Sequence, residues 1–139
     1  MAQKFRIARA AELQTLGVFR DFVAEVCRRA GIDADTAYQL RLAVDEATAN
    51  VITHGYAGMN PGSILLELEV QSGAIVATLT DFGHSFEPAE PPAPDVEAAL
   101  ADGPIEGFGL FLIYRTMDDV DYQVTEEGNR LILTKRLSP

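Results

Sequence analysis

From Asn60 to Asp81 the chain alternates apolar and polar side chains twice, with a glycine turn between, and this pattern commits it to a β-hairpin. After the turn signal Asn60-Pro61-Gly62, Ile64, Leu66, Leu68 and Val70 alternate with Leu65, Glu67, Glu69 and Gln71. Ser72-Gly73 sends the chain back, and Ile75, Ala77 and Leu79 then share one face of a second strand that ends at Asp81-Phe82-Gly83. Because successive strand side chains point to opposite faces, a hairpin of this composition buries one face.

The flanking segments supply what covers that face. Lys4–Ala8 suits a short strand, and Ala11–Ala30 places Leu16, Phe19, Val23, Val26 and Ala30 at helical spacing before Gly31 stops the helix. Asp33 is a candidate N-cap for a second helix with the stripe Leu40, Ala43, Ala47 and Val51, closing at Gly55. Glu87–Glu106 carries Pro88, Pro91, Pro92, Pro94 and Pro104 and shows no strand periodicity, which predicts a mobile loop with one helical turn near Val96–Leu100. A helix over Gly109–Met117 follows, then a closing hairpin, Val120–Thr125 and Arg130–Leu137, around Glu127-Gly128-Asn129. Strands arriving in hairpin pairs, with helices that carry one apolar stripe each, predict an α+β two-layer sandwich: a mixed, mostly antiparallel sheet with helices on one face. Residues 1–139 are expected to form one domain, since the length suits a single core.

Charge narrows the function. A net charge of −10 argues against a nucleic-acid partner, because binding to phosphate backbones rests on clustered Lys and Arg. Every Lys and Arg lies at or before Arg41 or at or after Arg115, so an anion bound between Leu42 and Tyr114 needs a metal ion, backbone N–H groups or a basic residue from elsewhere. No apolar run approaches the ~20 residues of a membrane span, and Cys27 has no disulfide partner. A cytoplasmic protein without membrane contact is expected.

Three short elements carry chemistry. Glu46 and Asn50 lie four residues apart and project from one side of the second helix. The amide oxygen is a ligand for a hydrated Mg²⁺, and the carboxylate suits a base or a partner of the ion's waters, although polar residues at this spacing are more often only a solvated face. Asp81, at the end of a buried strand, can accept a hydrogen bond from the exocyclic amine of adenine, and Gly83 would let the ring approach the backbone, although such a tripeptide alone is more often an ordinary turn. Gly107-Phe108-Gly109-Leu110 opens a helix, where free N–H groups and the helix dipole receive phosphate. It is neither a dinucleotide fingerprint nor a P-loop, for Leu112 holds the last glycine position of the first and G-K-[ST] is absent. Asp45 should point elsewhere on the helix, His54 and His84 read as capping or exposed groups, and Cys27, Met117 and Tyr122 as core.

In this order, Leu42-Ala43-Val44-Asp45-Glu46-Ala47-Thr48-Ala49-Asn50, Asp81-Phe82-Gly83 and Gly107-Phe108-Gly109-Leu110 resemble the N-box, adenine box and second glycine box of the GHKL ATPase superfamily, specifically its anti-sigma-factor serine/threonine kinases. The resemblance covers almost the whole chain. It implies the GHKL (Bergerat) fold, with ATP and Mg²⁺ as cofactors. Glu46 would be the catalytic base that activates a substrate serine and Asn50 the Mg²⁺ ligand. Asp81 would contact adenine, Gly83, Gly107 and Gly109 would be close-approach positions joined by Leu110 at the nucleotide, and Glu87–Glu106 would be the lid. The implied partners are a STAS-domain anti-anti-sigma protein as phosphorylation substrate, a sigma factor that the kinase sequesters, and a second copy of the chain in a homodimer.

One departure bears on mechanism. The lid has no Lys or Arg, and Thr53 stands where sensor histidine kinases usually carry lysine. Triphosphate charge is then expected to be balanced by Mg²⁺, by N–H groups near Gly109, and by Arg115 or Arg41. The basic-free lid keeps open a second reading, a nucleotide-gated module that binds a partner without kinase activity.

Overall fold

A computed structural model describes residues 2–85 and 108–137. The elements are β1 (Gln3–Ala10), α1 (Gln14–Arg29), α2 (Ala34–Asn50), β2 (Ser63–Gln71), β3 (Ala74–Asp81), α3 (Phe108–Thr116), β4 (Asp119–Thr125) and β5 (Gly128–Arg136), with a π-helical turn, Val51–Gly55, continuing α2. The expected loop Glu87–Glu106, with its turn near Val96–Leu100, and Gly107 lie outside the described residues.

The five strands form one sheet in the order β1-β2-β3-β5-β4, and each of the four pairings is antiparallel. The hairpin read from the alternation is β2–β3, in which Leu66 faces Leu79 and Leu68 faces Ala77. Those four side chains, with Ile64, Ile75 and Leu133, are almost wholly buried. The opposite face carries exposed ion pairs instead: Arg6 meets Glu67 at 2.5 Å and Lys4 meets Glu69 at 3.7 Å across β1 and β2. Burying an aliphatic side chain is worth about 1.5–3 kcal/mol and an exposed ion pair about 0–1 kcal/mol, so the apolar face decides where the helices sit.

Both long helices meet that face. In α1 the buried stripe is Thr15, Phe19, Val23, Val26 and Cys27, with Leu16 and Ala30 at its margins. Burial pushes the Cys27 thiol up to about 11, so it stays protonated and packs as an apolar group. The Asp33 carboxylate accepts the Thr36 N–H at 3.1 Å and starts α2 as an N-cap. From there Leu40, Ala43, Val44, Ala47, Thr48 and Val51 are buried, a broader stripe than the expected one because α2 touches α1 and α3 as well as the sheet. The closing hairpin turns one residue pair earlier than its glycine suggests. Thr125 pairs with Gly128, leaving Glu126-Glu127 as the turn, and Thr125 Oγ1 accepts the Glu127 N–H at 3.1 Å. Asn129 is therefore a strand residue, directly opposite Asp81.

Candidate functional site

The core stripe of α2 sorts its polar residues by face. Asp45 turns toward α1, where Arg20 binds it through Nε to Oδ1 at 2.7 Å and Nη2 to Oδ2 at 3.3 Å. Glu46, one residue on, is rotated about 100° away and lies half-buried on the flank that also carries Asn50. Its carboxyl is raised above the ordinary value of 4.5, first by burial and then by the nearby negative charge of Asp45. A carboxylate so raised takes up a proton more readily than a solvated one. Where Glu46 acts as a base, the acid limb of the pH–rate profile is expected above 4.5, because activity needs the ionised form. Asp45→Asn should move that limb down, since it removes a charge that raises Glu46. Transfer rates measured across pH in both proteins check this, and an unmoved limb would detach Glu46 from the profile.

Past Asn50 the helix widens, with Tyr56 N–H reaching Val51 O at 3.3 Å, and this turn delivers Gly55 and Tyr56 to the end of β3. There the chain packs backbone on backbone. A Cβ on Gly83 would stand 2.1 Å from the Gly55 carbonyl oxygen, and His84 N–H donates to that same oxygen at 2.6 Å. Among the described residues, Gly83 permits a close approach to Gly55. Tyr56, buried, ties the region together: its hydroxyl donates to Ser63 O at 2.8 Å and accepts the Phe82 N–H at 2.9 Å.

Asp81 sits inside this frame on the helix-covered face, only 7% exposed. Its Oδ1 accepts the Gly83 N–H at 2.9 Å and the Asn129 Nδ2–H at 3.1 Å, and Asn129 Nδ2 also donates to Gly83 O at 2.9 Å. Gly128 supports the arrangement with a positive φ of 126°, and a Cβ there would meet the Asp81 carbonyl at 2.8 Å. Gly55, Tyr56, Gly128 and Asn129 are not among the site residues read from the sequence. Only Asn129 had a usable signal, its place in the hairpin register, and taking Glu127-Gly128-Asn129 as the turn hid it.

Gly109 and Leu110 lie in the first turn of α3, which packs on α2. The helix ends at the far edge of the sheet, where Asp118 N–H meets Thr134 O at 2.9 Å and Lys135 Nζ meets Thr116 O at 2.8 Å. Its first turn is therefore held away from that edge. The two arginines expected to reach a triphosphate each lie over an aromatic ring of their own helix. Arg41 stacks over Tyr38 at 5.6 Å, on the flank of α2 that borders Arg20 and Asp45, and Arg115 sits over Phe111 at 6.0 Å in the last turn of α3. His54 and His84 are exposed, the latter with Nε2 2.9 Å from Ala57 O.

Among the described residues no group of three His, Cys, Asp or Glu side chains could cage a metal ion. No described helix is long and apolar enough to cross a membrane.

A family model of the histidine kinase-like ATPase domain matches residues 9–135. The serine-protein kinase RsbW of Oceanobacillus iheyensis is 34% identical, over 92% of this chain and 83% of its own. RsbW of Listeria innocua is 27% identical, over 99% of this chain and 90% of its own, and the serine/threonine-protein kinase BtrW of Bordetella bronchiseptica 28%, over 73% and 72%. The crystal structure of the RsbU and RsbW domains of Rv1364c from Mycobacterium tuberculosis superposes with a TM-score of 0.72 at 19% identity, over 99% of this chain and 33% of that one. That likeness concerns the fold.

Proposed function

The chain belongs to the histidine kinase-like ATPase family, among its anti-sigma-factor serine/threonine kinases, and from that premise we propose that it binds ATP with Mg²⁺ and phosphorylates a serine of a STAS-domain anti-anti-sigma protein. The observation that carries the reading is continuity. The helix bearing Glu46 and Asn50 runs through the π-helical turn to Gly55, and Gly55 lies against the loop that follows Asp81. A proton acceptor, an amide ligand and a base-reading carboxylate thereby stand along one stretch of the molecule.

On this reading Asp81 takes the amino group of adenine, Asn50 holds the metal, and Gly107, Gly109 and Leu110 bring N–H groups of the α3 start to the phosphates. Glu46 accepts the serine hydroxyl proton as the serine oxygen bonds to the γ-phosphorus. The bond from that phosphorus to the β,γ-bridging oxygen breaks, and ADP leaves. Mg²⁺, when bound, offsets charge on the transferred group. With no Lys or Arg between Leu42 and Tyr114, that offset matters more than it would beside lysines. Residues 1–139 act as one ATPase unit, with 87–106 as the lid, in the reducing cytoplasm where the lone thiol of Cys27 needs no partner. Sequestering a sigma factor and pairing as a homodimer complete the proposal.

Incubation with labelled ATP and STAS-domain proteins from the same source should yield phosphoserine in Mg²⁺ and none in EDTA, and calorimetry should show ATP bound more weakly in EDTA. Equal affinity in both would remove the metal from the account. Binding without labelled phosphate on any partner would support the second reading, a nucleotide-gated module without kinase activity, which the absence of Lys and Arg from Leu42 to Tyr114 favours.

A further inference from the structure

We propose that Asn129 is a positioning residue that holds the Asp81 carboxylate with one oxygen turned to the base, and so sets the preference of the site for purines carrying a 6-amino group. The proposal rests on the reading of Asp81 as the adenine contact and assigns a role to a residue on another strand.

The hydrogen bonds fix both side chains. Asn129 is 5% exposed, and the two groups its amide meets, Asp81 Oδ1 and Gly83 O, are both acceptors, so the amide nitrogen and not the oxygen must face them. Oδ1 then receives two N–H donors, from Gly83 and from Asn129, while no described residue donates to Oδ2. Asp81 keeps 7% of its surface exposed, and among the described residues no donor competes for Oδ2. A carboxylate whose one oxygen is saturated by the protein leaves the other as its acceptor, aimed in a set direction. It rewards an amine at that place and repels the carbonyl oxygen that guanine carries there.

Asn129 supplies the half of this constraint that Gly83 cannot. The Gly83 N–H belongs to the loop two residues on, so Asp81 and that loop could rotate together. The amide of Asn129 projects from β5 and pins both Asp81 Oδ1 and Gly83 O to the sheet. Without it the carboxylate keeps its charge and loses its direction.

The test compares calorimetric affinities for ATP and for purine riboside triphosphate, the same nucleotide without the 6-amino group, both in excess Mg²⁺. Wild type should prefer ATP by about tenfold or more, the worth of one charge-assisted hydrogen bond. Asn129→Val should reduce that preference to about threefold or less, through weaker ATP binding, while Asn129→Thr, which has the same shape and a hydroxyl donor, should retain most of it. A purely structural role would lower the melting temperature of both variants and leave the preference unchanged. Should valine prevent folding, Asn129→Ala against Asn129→Ser gives the same contrast in smaller side chains. A wild-type preference that survives in Asn129→Val overturns the assignment of Asn129 alone. A wild type that binds both nucleotides equally overturns Asp81 as the adenine contact, and the role of Asn129 with it.

Discussion

Glu46→Gln is expected to slow phosphate transfer to a STAS partner by about 10²–10⁴-fold while leaving ATP affinity unchanged or slightly improved. The carboxamide matches the carboxylate in size, so it disturbs neither the Asp45–Arg20 pair nor the buried stripe of α2. It cannot take up a proton, so the serine hydroxyl would lose its acceptor. Affinity should not suffer, because the substitution removes a negative charge from a flank to which a triphosphate must come. Single-turnover transfer beside calorimetric ATP binding separates the two effects. Undiminished transfer would exclude Glu46 as the base, and a parallel collapse of binding would mean that its role is to hold the nucleotide.

Gly83→Ala should lower the melting temperature by about 10 °C or more and weaken ATP binding with it. The added Cβ would lie 2.1 Å from the Gly55 carbonyl oxygen and 2.5 Å from its carbon, so relief requires movement of backbone and not of a side-chain tip. Overpacking of this kind costs about 3 kcal/mol or more, and at this chain length each kcal/mol corresponds to about 3–5 °C. Displacing the Gly83 loop also pulls its N–H and carbonyl from Asp81 and Asn129. Gly17→Ala is the control, since α1 has open space around that position and alanine favours helix. A Gly83→Ala protein that melts within a degree or two of wild type would show that the two backbones do not approach as described.

The strands and helices were legible because their signals are local. Alternation at Ile64–Val70 and Ile75–Leu79, the Asp33 cap and the stripe Leu40, Ala43, Ala47 and Val51 all concern neighbours within a few residues. The site was legible only as far as it is written in short motifs. Glu46 with Asn50, and Asp81 with Gly83, could be named from spacing, and the divergence of Asp45 from Glu46 follows from helix geometry. What the sequence could not show is who meets whom across the chain. Gly83 faces Gly55, Tyr56 bridges Ser63 and Phe82, and Asn129 reaches Asp81 over a separation of 48 residues. Those pairings depend on strand order and register, and placing the closing turn at Glu127-Gly128-Asn129 was enough to hide the last. The arginines are a related case. Arg41 and Arg115 bound the stretch without Lys or Arg in sequence, yet the face of a helix, and not proximity along the chain, decides where a guanidinium ends.

The widened turn Val51–Gly55 acts as a spacer of fixed phase. With the Tyr56 N–H reaching five residues back to Val51 O, it holds one residue more than an ordinary turn would, and at that count Gly55 meets Gly83. Loss of a single residue there would rewind the segment and swing Gly55 by about a quarter of a revolution. The segment bearing Glu46 and Asn50 and the loop after Asp81, far apart in the sequence, are in this way geared to one shaft, so a change of phase in one moves the other.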